Sequence, residues 1–259
     1  MITLAVWLMF AFSLGLIMRL IGLPPLVGYL AAGFALSFNG YETSHLLEEV
    51  SHAGVLLLLF GVGLKLRLKS LLRAEVLAGS LIHMVIFVTV FMLLLFQFST
   101  LDRSAVVMIA LALSFSSTVV AAKVLESKRE LRAFHGRVAI GILIVQDLVA
   151  VAMLSTLGGA APSPWASAVL GFFFIRPLLY KLLDLSGHGE LVLLYGLMVA
   201  LVFGGESFEL AGLSSELGAL LLGAMLADHE RSKQLAKALW GLKELLLVGF
   251  FLQIGLYGM

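Results

Sequence analysis

The chain has 259 residues and no cysteine. Disulfides, thiolate metal sites and cysteine nucleophiles are therefore excluded. Charge is scarce: Asp, Glu, Lys and Arg make up 13% of the sequence, against about a quarter in soluble domains. The 6 histidines are scattered, and no His-x-x-x-His pair occurs, which argues against a metalloprotease-type zinc site. Nothing reads as a low-complexity linker, and the basic residues form no stripe of the kind that binds nucleic acid. The N-terminus lacks a basic n-region and a small-residue cleavage site, so it reads as a retained first span rather than a signal peptide.

What the sequence has in quantity is apolar. Hydrophobic residues reach 61% and the mean hydropathy is +1.09. This composition predicts an all-α polytopic membrane protein with no soluble domain longer than a loop. Ten apolar segments succeed one another, at about 2–20, 24–38, 50–64, 74–98, 105–125, 138–157, 166–183, 191–203, 213–226 and 245–257. Numbering the connections alternately sorts the charge. One side collects Arg19, Lys65, Arg67, Lys69, Arg73, Lys123, Lys128, Arg129, Arg132, Arg137, Lys181, Arg231, Lys233, Lys237 and Lys243. The other side has Arg103, with Glu42, Glu48, Glu49, Glu206 and Glu209. Arg176 falls inside the seventh segment. The positive-inside rule then places the basic loops in the cytoplasm and both termini outside. Pro24-Pro25 should open the second span, where a missing N–H costs little. The segment 39–49 reads as an external loop. Residues 158–165 read as an external turn with Trp165 at the interface.

Two features stand out against this apolar ground. Asp147 is a lone carboxylate near the middle of the sixth segment, with Gln146 beside it. An ionisable residue at mid-membrane is by default a functional candidate. Ser114, Ser116, Ser117 and Thr118 interrupt the fifth segment. A polar patch there predicts a broken helix whose freed carbonyls help to hold an ion. The alternatives are ordinary ones. Asp147 could be a structural acid paired to a neighbouring span. Gln146 could serve helix packing, since adjacent residues do not share a helical face. Ser116, Ser117 and Thr118 could bond back to their own helix or to a neighbour. His83 reads as a core or cavity histidine rather than a ligand. Lys123 and Glu126 are spaced for a local ion pair, and Glu216 reads as a helix-terminal acid. Gly28, Gly33, Gly218 and Gly223 suit close helix contacts.

The stretch ALSFSSTVVAAKVLESKREL followed by GRVAIGILIVQDLVAVAML resembles the Kef-type branch of the monovalent cation:proton antiporters, within the sodium/hydrogen exchanger superfamily. GLPPLVGYLAAGF, GVLLLLFGVGLKLRLKSL and AGLSSELGALLLGAMLADHERSKQLAKALWGLKELLLVGFFLQIGL resemble that family's second, third, and ninth and tenth spans. The resemblance implies a secondary transporter in the cell membrane, here a bacterial inner membrane, exchanging K+ or Na+ for H+. It needs no cofactor, is not an enzyme, and forms a homodimer in membrane lipid. It implies a cation- and proton-binding site at Asp147, Gln146, Ser116, Ser117 and Thr118, with Asp147 the transient ligand of K+ or Na+. It also implies a division into scaffold spans 1–3 (1–72), half of an ion-carrying core in spans 4–6 (73–158), a linker span (165–184) and scaffold spans 8–10 (190–259). Relatives of this type carry about thirteen spans in two inverted repeats, and many add a cytosolic regulatory domain. This chain stops at Met259 after what reads as the tenth span. The expectation is a truncated membrane domain that exchanges no cations by itself. The alternative function is a non-transporting dimerisation module of such an antiporter.

Overall fold

The computed structural model describes residues 2–65, 73–157 and 174–258, and every regular element among them is helical. In order these are α1 (Ile2–Leu20), α2 (Pro25–Phe38), α3 (His45–Gly63), α4 (Ala74–Phe98), α5 (Arg103–Ser114), α6 (Thr118–Ser127), α7 (Phe134–Leu157), α8 (Arg176–Leu185) and α9 (Glu190–Leu197). A π-helical stretch, Met198–Glu206, runs from α9 into α10 (Ser207–Leu210); α11 (Ser215–Leu226) and α12 (Ser232–Tyr257) follow. Five helical runs are long and apolar enough to cross a membrane: His45–Gly63, Ala74–Phe98, Arg103–Ser127 counted through its break, Glu190–Leu210 and Ser232–Tyr257. Shorter apolar helices lie at Ala5–Leu20, Pro25–Phe38 and Ser215–Leu226. The chain is a multi-pass membrane protein.

Helix ends follow local chemistry. Pro25 occupies the first turn of α2, where its missing N–H costs nothing. Asp102 caps α5 by accepting from the N–H groups of Ser104 and Ala105. Ser44, Ser117 and Ser214 cap α3, α6 and α11 in the same way. The Ser44 cap moves one boundary: α3 begins at His45, with Glu48 in its first turn, so the loop is 39–44 and not 39–49. Acids next to a helix N-terminus belong in the helix.

The packing has a dense panel and a looser flank. In the panel α3 lies against α11 and α12, α2 lies between α1 and α12, and α11 lies against the π-helical stretch. Phe60, Leu57, Leu222 and Leu183 are fully or almost fully buried there. Two contacts depend on glycine. A Cβ on Gly33 would sit 2.2 Å from the Leu252 carbonyl oxygen and 2.7 Å from the Gly255 Cα. A Cβ on Gly223 would sit 2.2 Å from the Phe60 carbonyl oxygen and 3.1 Å from the Gly63 Cα. Backbones this close exchange dispersion and Cα–H contacts that larger residues would prevent. The two contacts also correspond in sequence. Gly22, Leu23, Gly28, Leu30 and Gly33 recur in the same spacing as Gly212, Leu213, Gly218, Leu220 and Gly223. The π-helical stretch brings Gly204 to α11, where a Cβ would stand 2.7 Å from the Ala219 Cα.

On the flank α4 lies against α5 and α7, and α6 bridges α7 to α3. Most of the outward face of α4 is apolar and exposed, including Leu81, Ile82, Val85, Leu93 and Phe98, as a lipid-facing helix requires.

Two sequence readings change, and a third is resolved. Lys123 and Lys243 do not lie in connecting loops; they sit inside α6 and α12. Lys123 does not pair with Glu126 along the helix. It bonds Glu244 of α12 at 2.6 Å, while Glu126 accepts from Lys65 at 2.9 Å and from Lys243 at 2.6 Å. Arg176-Pro177, which the sequence reads as a kink or a short reoriented helix, opens the short helix α8, with both residues in its first turn. Arg67, Lys69, the turn at 158–165 with Trp165, and 166–173 of the seventh segment lie outside the described residues.

Candidate functional site

The fifth span is broken. α5 ends at Ser114, Phe115 (φ −77°, ψ 142°) and Ser117 (φ −72°, ψ 110°) are extended, and α6 starts at Thr118. The physical cause is local. Ser114 donates to the Leu111 carbonyl oxygen at 2.7 Å, and Ser117 accepts from the Val120 N–H at 3.3 Å. The first bond occupies a carbonyl at the end of α5, and the second caps a new N-terminus. The break leaves the carbonyl end of one half-helix and the N–H end of the next at the same place, with opposite partial charges.

α7 faces this break with two neighbouring side chains. Gln146, 1% exposed, accepts at Oε1 from the backbone N–H of Ser116 at 3.2 Å. Asp147 accepts at Oδ2 from the Thr118 hydroxyl at 3.1 Å. Adjacent residues of a helix diverge, but the extended segment crosses α7 so that each finds its own partner. The structure thus brings Asp147, Gln146, Ser116 and Thr118 together. It uses Ser116 through its backbone, not its hydroxyl. Ser117 belongs to the cap of α6, so its hydroxyl oxygen is already engaged. Glu216 lies in the first turn of α11.

One neighbour of this cluster reads from the sequence only as a core or cavity histidine. His83 of α4 lies 3.0 Å through Nδ1 from Gln146 Nε2, and its ring stacks on Phe87 at 4.3 Å between centroids. A single histidine in a long apolar helix carries no spacing that would tie it to Gln146.

The chemistry available is that of oxygen. Asp147 offers a carboxylate, Gln146 an amide carbonyl, Thr118 a hydroxyl, and the end of α5 its last carbonyls. Among the described residues no group of three or more His, Asp or Glu is arranged to hold a resident metal ion. A mixed set around one carboxylate suits a monovalent cation that comes and goes. A proton and a cation would compete for the same carboxylate.

The family described as "Sodium/hydrogen exchanger, transmembrane" matches residues 8–257. "Putative cation/proton antiporter YbaL" of Escherichia coli (strain K12) is 31% identical over 96% of this chain and 50% of its own length. "Glutathione-regulated potassium-efflux system protein KefC" of Enterobacter sp. (strain 638) is 31% identical over 91% of this chain and 41% of its own. A protein of Methylorubrum extorquens described as an "Uncharacterized protein in phaC 3'region" is 32% identical over 88% of this chain and 96% of its own length. The chain spans about half the length, or less, of the first two of these relatives.

Proposed function

Because the chain belongs to the transmembrane sodium/hydrogen exchanger family, we propose that it carries the cation and proton site of a secondary transporter exchanging K+ or Na+ for H+. The observation that supports this most directly is the meeting of the broken fifth span with Gln146 and Asp147. Asp147 binds H+ and the cation in turn. Gln146 and Thr118 supply neutral oxygens, so one carboxylate takes one charge at a time. This favours one proton for one monovalent cation.

The panel of α1–α3 with α9–α12 serves as the scaffold and dimer platform, and α4–α7 as the ion-carrying unit. The corresponding glycine contacts of α2 on α12 and α11 on α3 support a repeat relation between the two ends of the panel. The basic connections face the cytoplasm, in a bacterial inner membrane.

The test is proton flux in proteoliposomes under imposed K+ or Na+ gradients, for the wild type and Asp147→Asn. The sequence alone leads to the expectation of no exchange by this chain; because the broken span, Gln146 and Asp147 already meet within it, the expected result is instead cation-driven flux that disappears in the variant. Flux that survives Asp147→Asn removes this carboxylate from the exchange. A protein with no flux, whose melting also ignores both cations, is not an exchanger.

A further inference from the structure

Three polar groups from three elements form one chain of hydrogen bonds: the Ser116 N–H in the break, the Gln146 amide on α7 and the His83 ring on α4. Its direction can be worked out. A backbone N–H only donates, so the group of Gln146 facing Ser116 must be its carbonyl oxygen. The amide is planar and two-ended, so its NH2 must face His83. Nδ1 of His83 is then the acceptor, and the ring must be neutral with its proton on Nε2. Stacking on Phe87, one turn further along α4, holds the plane of the ring.

From this geometry we propose that His83 is a positioning residue of the cation site, fixing the Gln146 amide with its carbonyl oxygen toward the break. The inference rests on the exchanger reading given above. A carbonyl oxygen has two lone pairs. One takes the Ser116 N–H and the other is available to a cation. A flipped amide would turn its NH2 toward both the Ser116 N–H and the cation, and both contacts would be repulsive. Ser116 disfavours the flip at one end of the amide and His83 at the other. Without an acceptor at position 83 the NH2 would lose its buried partner, and the amide could rotate away from the site. His83 itself contributes no ligand to the ion.

The prediction separates affinity from turnover. In the flux assay His83→Leu removes the acceptor and should raise the apparent KM for the cation about 10-fold, the lower end of what losing an outer partner of an ion ligand costs. Maximal flux should stay close to wild type, because Asp147 is untouched. His83→Gln keeps a carbonyl acceptor and should restore most of the affinity, which a simple packing role would not predict. A second measurement does not depend on transport. In the full chain with 15N-labelled histidine, the resonances lost in His83→Gln identify the ring. They should report the tautomer protonated at Nε2 with Nδ1 accepting. A ring protonated at Nδ1 overturns the proposal, as does a His83→Leu protein with wild-type KM. Should wild type carry no cation-driven flux, the exchange reading fails separately, and the tautomer still decides whether His83 orients Gln146.

Discussion

Lys243 of α12 donates to Glu126 of α6 at 2.6 Å while only 4% exposed. It also lies 3.3 Å from its own neighbour Glu244, which Lys123 of α6 reaches at 2.6 Å. Lys65, just past α3, completes the group through Glu126 at 2.9 Å. Three lysines and two glutamates thus join α6 to α3 and α12. Removing one member of a buried pair leaves an uncompensated charge, which costs about 3–5 kcal/mol. Lys243→Met should therefore lower stability by about 3 kcal/mol. The double variant Lys243→Met with Glu126→Gln should recover much of that loss. Denaturation of the four proteins in detergent gives the coupling, and strict additivity would mean the pair is not coupled.

Thr118→Val removes the hydroxyl that bonds Asp147 and keeps the shape of the side chain. Cation affinity should fall by about 10-fold, and Thr118→Ser should stay near wild type. The measurement is the cation concentration giving half-maximal flux. Equal behaviour of Val and Ser would assign the contact to packing alone.

Gly33→Ala and Gly223→Ala each place a methyl group 2.2 Å from a backbone carbonyl oxygen of a facing helix. Since backbone cannot rotate aside, each should cost about 1–3 kcal/mol as an overpacking change. Gly61 and Gly241 have nothing within 4 Å of the same added atom. Gly61→Ala and Gly241→Ala should leave melting unchanged or raise it slightly, because alanine is the better helix former.

Orientation is open to chemical labelling, since the native chain has no cysteine. Ser44→Cys, at the cap of α3, and Lys128→Cys, at the end of α6, should react with an impermeant thiol reagent from opposite sides of the membrane. Reaction of both from one side would end the topology drawn from the charge sorting.

Asp102, before α5 and fully solvent-exposed, offers a pH test. The Ser104 hydroxyl and then the Ala105 N–H hold its carboxyl below the usual range. For a depressed carboxyl the contribution to stability is present above the unfolded value and is lost as pH falls through the folded one. Asp102→Asn should therefore lower stability slightly near neutral pH and flatten the acid side of the profile, so that variant and wild type converge at low pH. A variant with the same acid slope as wild type would show that the cap does not titrate in this way.

The sequence is most informative where the signal is local. Four hydroxyl residues in five positions mark the break, because hydroxyls compete for backbone bonds wherever they cluster. The bounds of α4 are legible because 74–98 is mostly apolar, with its one charged residue, Glu75, in the first turn, and is framed by Arg73 and Ser99. The lone charge at Asp147 stands out for the same reason. Partnerships across long separations leave no comparable mark. Lys243 and Glu126 lie 117 residues apart, and His83 and Gln146 lie 63 apart. Each could pair with several groups of suitable chemistry, and only the packing of α4, α6, α7 and α12 chooses. The start of α3 is a nearer miss. Glu48 and Glu49 look like loop residues by polarity, while the Ser44 cap in front of them makes a helix start.

The pairing of α2 with α12 has a bearing on how the chain is made. Helices enter the bilayer in order of synthesis, so α2 arrives long before the partner that covers Gly33 exists. Its small-residue face must meanwhile rest against lipid or the insertion machinery. The same holds for α3, whose Gly63 waits for Gly223 of α11. The panel therefore closes only once α11 and α12 have been made, and a ribosome stalled before residue 232 would leave a membrane intermediate with an open groove, ready to accept the wrong helix.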